Sequence, residues 1–414
     1  MRQLIRSEWQ LLLFGFLMTF CSSPGQTFFI ALFSADIRGT LNLSHSAFSG
    51  AYSLATLCSA VLVWWSGALI DRIPLRRFTT LIITGLSCSI VLLALGRHIG
   101  LLIIAFFLLR HFGQALMMLT ASTTMVRYLD THKGKANALS GLGYVSAEAI
   151  LPGSVIAFIA LFGWQAALYA ASAVLLLLIL PLCRFLLRNH QQRHADYLAA
   201  LDAPPNPNNS TYSQATRRQW HRKEVLRDAG FYLFLPAVLS QSMLFTGFIF
   251  HQLHIVESKG WSLPWWGLLF AMYASIAISC KLLTGLIIDK IGALKLLPLG
   301  SLPMALGLFA LASSTQPVAA IVFFIGLGIT TGVQTTLAAP LWSELYGSRH
   351  LGAIKSMASA LLVFGTALLP FLMGALIDNG VSIDQLALAG GSYALLCCLL
   401  ASIGLARHLR LQPE

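Results

Sequence analysis

Twelve apolar stretches of about 20 residues or more, each nearly free of charge, divide this 414-residue chain from one end to the other. They run at approximately 9–33, 47–70, 78–96, 101–126, 138–162, 164–186, 231–255, 265–288, 296–315, 318–342, 353–377 and 385–406. A helix of about 20 residues is roughly 30 Å long, the thickness of a bilayer's hydrocarbon core. Inside that core a backbone can satisfy its N–H and C=O groups only as a helix or a closed barrel. Barrel strands would appear as segments of about ten residues with alternating polarity, and the runs do not alternate. Charged residues make up 10% of the chain against 57% hydrophobic, which excludes a soluble globular domain. The fold class is therefore an all-α polytopic membrane protein with twelve transmembrane helices.

The net charge of +12 raises the question of nucleic acid, and the positions of the charges answer it. Of the 27 lysines and arginines, only Arg38, Arg97 and Lys259 fall in loops on one side, and Arg110 and Lys281 fall within the runs. All the others lie on the opposite side. This is the positive-inside pattern. It places both termini in the cytoplasm, makes the basicity a topological signal and leaves the lipid bilayer, with no nucleic acid, as the partner. The compact loops suit a bacterial inner (plasma) membrane. All seven cysteines lie within predicted helices, where packing is their ordinary role. Met1–Arg6 precedes a long apolar run without a small-residue cleavage site, so it reads as the start of a retained first helix.

A motif recurs along the chain. Gly67-Ala68-Leu69-Ile70-Asp71, followed by Arg72 and then Arg76-Arg77, returns as Gly285-Leu286-Ile287-Ile288-Asp289-Lys290 and as Gly374-Ala375-Leu376-Ile377-Asp378. Each copy ends an apolar run at a charged turn. Gly67 and Gly285 are 218 residues apart, as are Gly134 and Gly352 in two other short basic loops. A repeat at about half the chain length signals internal duplication, a common construction for transporters. Between the halves lies a segment with Pro204-Pro205-Asn206-Pro207 and Arg217-Arg218, too polar and proline-rich to bury a core. The expected organisation is a six-helix bundle at 1–190, a cytoplasmic linker at 191–230 and a second six-helix bundle at 231–414.

Two six-helix halves, a long central loop and a G-x-x-x-D-[RK] motif after the second and eighth runs together resemble the major facilitator superfamily. The resemblance covers essentially the whole chain. It implies that Gly67, Asp71, Arg72, Arg76, Gly285, Asp289 and Lys290 form a gating motif, its carboxylates capping helix ends and its basic residues pairing across the cytoplasmic surface. Pro74 stands where the usual pattern has Gly. The same resemblance implies alternating access around a central site, in a fold that commonly works as a monomer.

A charged side chain at the centre of a membrane helix costs on the order of 3 kcal/mol, so each one requires a reason. Three such residues occur: Arg110 in the fourth run, Glu148 in the fifth and Lys281 in the eighth. Arg110 and Glu148 both fall near mid-depth on sequential antiparallel helices, where a direct ion pair can form. Lys281 has no acidic partner left within the bilayer. The balance is a surplus cation, suited to an anionic substrate. Arg110 also resembles a helix-4 arginine of the superfamily. Lys281, four residues before Gly285, resembles the helix-8 arginine that anchors a carboxylate in monocarboxylate transporters and oxalate/formate exchangers. Three departures accompany that match. The cation is Lys, without the bidentate fork of Arg; Ala277 replaces an acidic residue; and Pro24-Gly25-Gln26 offers no counterpart of a helix-1 lysine.

Polar and aromatic residues complete the expected cavity. The first run offers Thr19, Ser23 and Gln26 on one face by helical spacing. Gln114 follows Arg110 by one turn and Tyr144 precedes Glu148 by one turn, while Gln241, Phe245 and Gln334 come from the second half. The pairs His251/His254 and His190/His194 lack a third ligand, so no metal is expected. Without H-E-x-x-H, G-x-S-x-G or Walker A patterns there is no sign of an enzyme, an ATP-driven pump or a cofactor. The sequence thus reads as a secondary active transporter for a small organic anion, in particular a monocarboxylate, coupled to protons through Glu148 or to exchange. The alternative is a proton-driven drug or metabolite efflux antiporter. That reading is weakened because Ala147-Glu148 stands where such exporters carry Gly-Pro.

Overall fold

A computed structural model describes residues 2–129, 133–192, 220–347 and 351–411. Most of the expected linker, His194, and the side chains of Asp71 and Asp289 lie outside the described residues. The chain divides into two units, Met1–Asn209 and Ser210–Glu414. Among the described residues, each contributes six helices long and apolar enough to cross a membrane. In the first unit these are α1 (Arg6–Ala31), α2 (His45–Val63), α3 (Leu75–Leu95), α4 (Ile99–Tyr128), α5 (Lys135–Phe162) and α6 (Trp164–Leu186). In the second they are α7 (Ala229–Phe250), α8 (Leu263–Ile288), α9 (Ala293–Ser313), α10 (Pro317–Leu337), α11 (Met357–Asp378) and α12 (Ile383–Arg410).

The duplication seen in the motifs is also a duplication of packing. In the first unit α1 packs on α5, α2 on α4 and α3 on α6; in the second α7 packs on α11, α8 on α10 and α9 on α12. Each pairing in one unit has its counterpart six helices later. Both units bury aromatic side chains, among them Tyr52, Phe78 and Phe106 in the first and Trp266, Tyr273 and Phe323 in the second. Leucines such as Leu177, Leu282 and Leu286 point outward. That arrangement is stable only where the surroundings are as apolar as the side chains.

The three motif copies do not fold alike. Gly67–Asp71 tightens into a 3-10 turn, because Pro74 bars helix continuation and pushes Ile73 away from helical geometry. Gly285–Asp289 instead stays within a helix that runs on to Ile291 and stops at Gly292, whose φ of 83° is left-handed. Gly374–Asp378 likewise remains helical. The α9 end just past Gly292 is capped from α10's extension, where Glu344 accepts from the N–H groups of Ala293 (2.9 Å) and Leu294 (3.0 Å). A carboxylate at a helix N-terminus satisfies orphan donors and complements the dipole.

Candidate functional site

Contrary to the continuous first helix expected from its hydropathy, α1 is broken at mid-course. Its helical geometry ends at Phe20, a 3-10 turn occupies Ser23–Gly25, Gln26 is extended, and a short helix resumes at Thr27–Ala31. Pro24 supplies the cause, having no N–H to continue the ladder. The freed carbonyls are met locally: Ser22 Oγ donates to Thr19 O (2.7 Å) and Ser23 Oγ to Phe20 O (2.5 Å). Irregular backbone at this depth is tolerated only when it is satisfied in this way. Thr19, Ser23 and Gln26 consequently do not share a helical face. Gln26 is buried and turns back, its Nε2 donating to Ser22 Oγ (3.3 Å).

The break lies against an irregularity in α4. From Arg110 to Met117 this helix widens into a π segment before returning to α geometry at Met118. The two irregular segments meet through glycines: a Cβ on Gly113 would lie 2.8 Å from Gly25 Cα, and one on Gly25 would collide with the Leu109 carbonyl. Arg110 joins them. Its Nη1 donates to Gly25 O (3.0 Å), and its Cζ stands 5.0 Å from the centre of the Tyr52 ring. Tyr52 is in turn tied to Thr27 through a 2.7 Å hydroxyl contact. Arg110 is 3% exposed and its Nε has no protein partner. His111 beside it is also buried and stacks on Phe107. Gln114 follows on the π segment, half-buried, with its backbone N against Gly25.

Glu148 approaches the same break from α5. It is 3% exposed and follows Tyr144 by one helical turn. Tyr144 packs edge-on against Phe28, at a centroid distance of 6.2 Å. Thr19 Oγ1 donates to Ser140 O (2.5 Å), fixing α5 along α1. The Arg110–Glu148 ion pair allowed by helix order is not formed among the described residues, since no N–O contact within 4.0 Å joins them. The reason is the break itself: its Gly25 carbonyl and the Tyr52 ring take up the guanidinium. Arg110 and Glu148 therefore sit buried and unjoined.

In the second unit, Gln241 donates through Nε2 to Thr331 Oγ1 (2.9 Å), which also receives the Tyr273 hydroxyl at 3.5 Å. Phe245 lies 5.7 Å from the Tyr273 ring. Gln241 and Phe245 thus fall in one cluster with two residues that sequence reading missed. Tyr273 and Thr331 carry no local signal, because their meeting depends on the register of α8 against α10. Gln334 is used differently. Its amide donates to Ala237 O (3.0 Å) and Ser301 Oγ (3.1 Å), which braces α7 and α9 from α10.

Lys281 is exposed, and its place on α8 matters. Its backbone lies in the α8–α10 seam, where a Cβ on Gly332 would come within 2.8 Å of Lys281 N. At about 100° per residue, it stands about 40° around the helix from buried Ala277 and about 100° from outward-facing Leu282. Of the gating residues, Arg72, Arg76 and Lys290 are exposed, and Gly67 packs against Leu119. The capping roles expected for Asp71 and Asp289 fall on side chains outside the described residues.

The sequence profile of the Major Facilitator Superfamily matches residues 15–280 and 237–413, nearly the whole chain. The chain belongs to the Major Facilitator Superfamily. It is a membrane transporter and not an enzyme. Solved structures agree at the level of the fold. A bacterial homolog of the human lysosomal transporter Spinster, inward-facing and unoccupied, superposes with a TM-score of 0.67 at 14% identity, covering 98% of each chain. The nucleoside transporter NupG gives 0.65 at 13% identity over 96% of this chain and 98% of its own. No curated protein matches the chain in sequence.

Proposed function

We propose that this superfamily member is a secondary active transporter of a small organic anion, with a monocarboxylate the favoured class, coupled to protons. The observation that carries the reading is Arg110. It is a buried guanidinium with a carbonyl and an aromatic face as its contacts, an unpartnered Nε, and, among the described residues, no carboxylate within ion-pair distance. A cation desolvated this far is strongly disfavoured unless an anion joins it during the cycle. In the proposed cycle Arg110 supplies positive potential and Lys281 anchors the carboxylate. Gln26, Gln114, Tyr144, Gln241 and Phe245 line the path, and Gln334 acts as a brace. Glu148 carries the proton, since neutralising a buried carboxylate removes its repulsion for an incoming anion. Rocking of two halves around a mid-membrane site is the common mechanism of such folds.

The test combines ligand binding with uptake. A ligand at about 100 times its Kd stabilises a protein by roughly 2.7 kcal/mol. A panel of small carboxylates and lipophilic cations should therefore be screened by thermal unfolding of the detergent-purified protein. The expected result is a carboxylate shift that disappears in Lys281→Ala. Stabilisation by lipophilic cations alone, indifferent to Lys281→Ala, would overturn the anion assignment and favour the efflux antiporter. In proteoliposomes, Glu148→Gln should flatten the dependence of uptake on pH. An unchanged profile would remove Glu148 from coupling.

A further inference from the structure

At the basic end of the first unit a cleft of about 780 Å³ opens where α3 begins and α4 and α6 end. Six arginines line it from three elements: Arg72, Arg76 and Arg77 around the start of α3, Arg127 at the end of α4, and Arg184 and Arg188 at and beyond the end of α6. Part of this charge has an ordinary duty, because Arg127 and Arg184 sit in last helical turns and complement the negative ends of their dipoles. The described lining contains no carboxylate.

Two further observations point to a ligand. The 21-residue helix starting at Leu75, whose first residues Leu75, Arg76 and Arg77 line the cleft, has Pro74 at its N-cap, which supplies no side-chain cap. A helix start of this kind favours oxyanions. The second observation is Thr124, which lines the cleft, is 1% exposed, and has a hydroxyl without a partner. Threonines in helices commonly return their hydroxyl to the carbonyl four residues earlier, as Thr120 does to Leu116 O at 2.7 Å. Thr124 does not, which leaves a buried hydroxyl without a partner among the residues that line the arginine-rich cleft. Planar guanidinium forks match phosphate oxygens, and the cleft falls within the range of volumes that hold small ligands.

We propose that this cleft binds a phosphate group, presented by an anionic phospholipid headgroup or by a soluble phosphate. The site is separate from the transport path proposed above. The test uses the full chain purified in neutral detergent, with native mass spectrometry and thermal unfolding as readouts. Phosphatidylglycerol, phosphatidylcholine, inorganic phosphate and pyrophosphate are the probes. The wild-type protein should retain at least one of the phosphate probes. Losing two charge-assisted contacts in Arg77→Gln/Arg188→Gln should weaken that binding by at least about tenfold. Thr124→Val, which keeps the side-chain shape, should weaken it less, by about threefold. Lys295→Gln/Arg410→Gln in the second unit is the control and should leave it unchanged.

Retention of phosphatidylglycerol but not of the soluble anions assigns the lipid headgroup. Retention of pyrophosphate or phosphate with the same dependence on Arg77 and Arg188 assigns a soluble ligand. Binding that survives Arg77→Gln/Arg188→Gln, or falls equally in the control, overturns the site, and so does the absence of binding by every probe.

Discussion

Arg110 and Lys259 are both buried cations, and the difference in their surroundings predicts different consequences of removal. Lys259 is held by three groups: Asp384 at 2.7 Å, Leu311 O at 2.7 Å and Ser314 O at 3.0 Å. The ammonium therefore ties the short helix Gln252–Lys259 to the end of α9 and the start of α12. Asp384 is 53% exposed, so its share is reduced by solvent, and the two carbonyl contacts carry most of the effect. Lys259→Met should destabilise the protein by about 2 kcal/mol, chiefly from those carbonyls. Asp384→Asn should cost less than about 1 kcal/mol. Thermal unfolding of the two variants compares them directly, and equal losses would show that the ion pair dominates. Arg110 has only one carbonyl and a ring face to lose, which leaves its charge available for a ligand. Arg110→Lys keeps that charge but shortens the reach to Gly25, so anion-dependent stabilisation should weaken even where the variant folds. The same thermal assay, with and without the carboxylate identified in the panel, measures it.

At the scale of the element, the contact between the α1 break and the π segment of α4 rests on two glycines. A methyl on Gly25 meets the Leu109 carbonyl, and the Gln114 N at 2.6 Å; one on Gly113 meets Gly25 Cα and N, both at 2.8 Å. These are backbone atoms and cannot rotate aside as a side chain can. Gly25→Ala should therefore force the helices apart, break the Arg110–Gly25 bond and cost at least about 3 kcal/mol, at the severe end for a single substitution. Loss of folded protein in detergent gel filtration is the expected readout, while Gly141→Ala, at a position with open space, should fold normally. These features were only partly legible in the sequence. Apolar periodicity and length made the twelve spans readable, because a bilayer imposes both. Pro24-Gly25 was visible, but its completion by Arg110, from 85 residues away, was not. The π segment has no local signature either, since Arg110–Met117 widens only where Gly113 meets Gly25. The predicted Arg110–Glu148 pair failed for that reason: helix order gives neighbours but not which backbone carbonyl intervenes.

On the scale of the whole molecule, duplication reaches from motif to packing while chemistry differs between the halves. The pairings of α1 with α5, α2 with α4 and α3 with α6 return as α7 with α11, α8 with α10 and α9 with α12. Yet the first unit buries an arginine and a glutamate, while the second carries Lys281 and an uncharged cluster around Thr331. Duplication preserved the packing seams, which any substitution of backbone-contacting glycine disturbs, and left the polar positions free to diverge. Orientation belongs to the same scale. The loops that hold Arg72, Arg76 and Arg77, and the ends carrying Arg184, Arg188, Arg407 and Arg410, all lie on the side rich in basic residues. Positive charge near helix ends resists translocation, so that side should be cytoplasmic. Green fluorescent protein fused after Arg188 or after the final residue should fluoresce, whereas alkaline phosphatase should be active when fused after Gly96. Fluorescence after Gly96 with phosphatase activity after Arg188 would invert the molecule. It would also move the arginine-lined cleft to the opposite face of the membrane, away from any cytosolic phosphate. Inversion would require the basic excess to be exported across the membrane, against the bias that sets the topology of short-looped helical proteins. On this prediction the charge distribution along the chain sets both the orientation of the transporter and which compartment's anions the cleft meets.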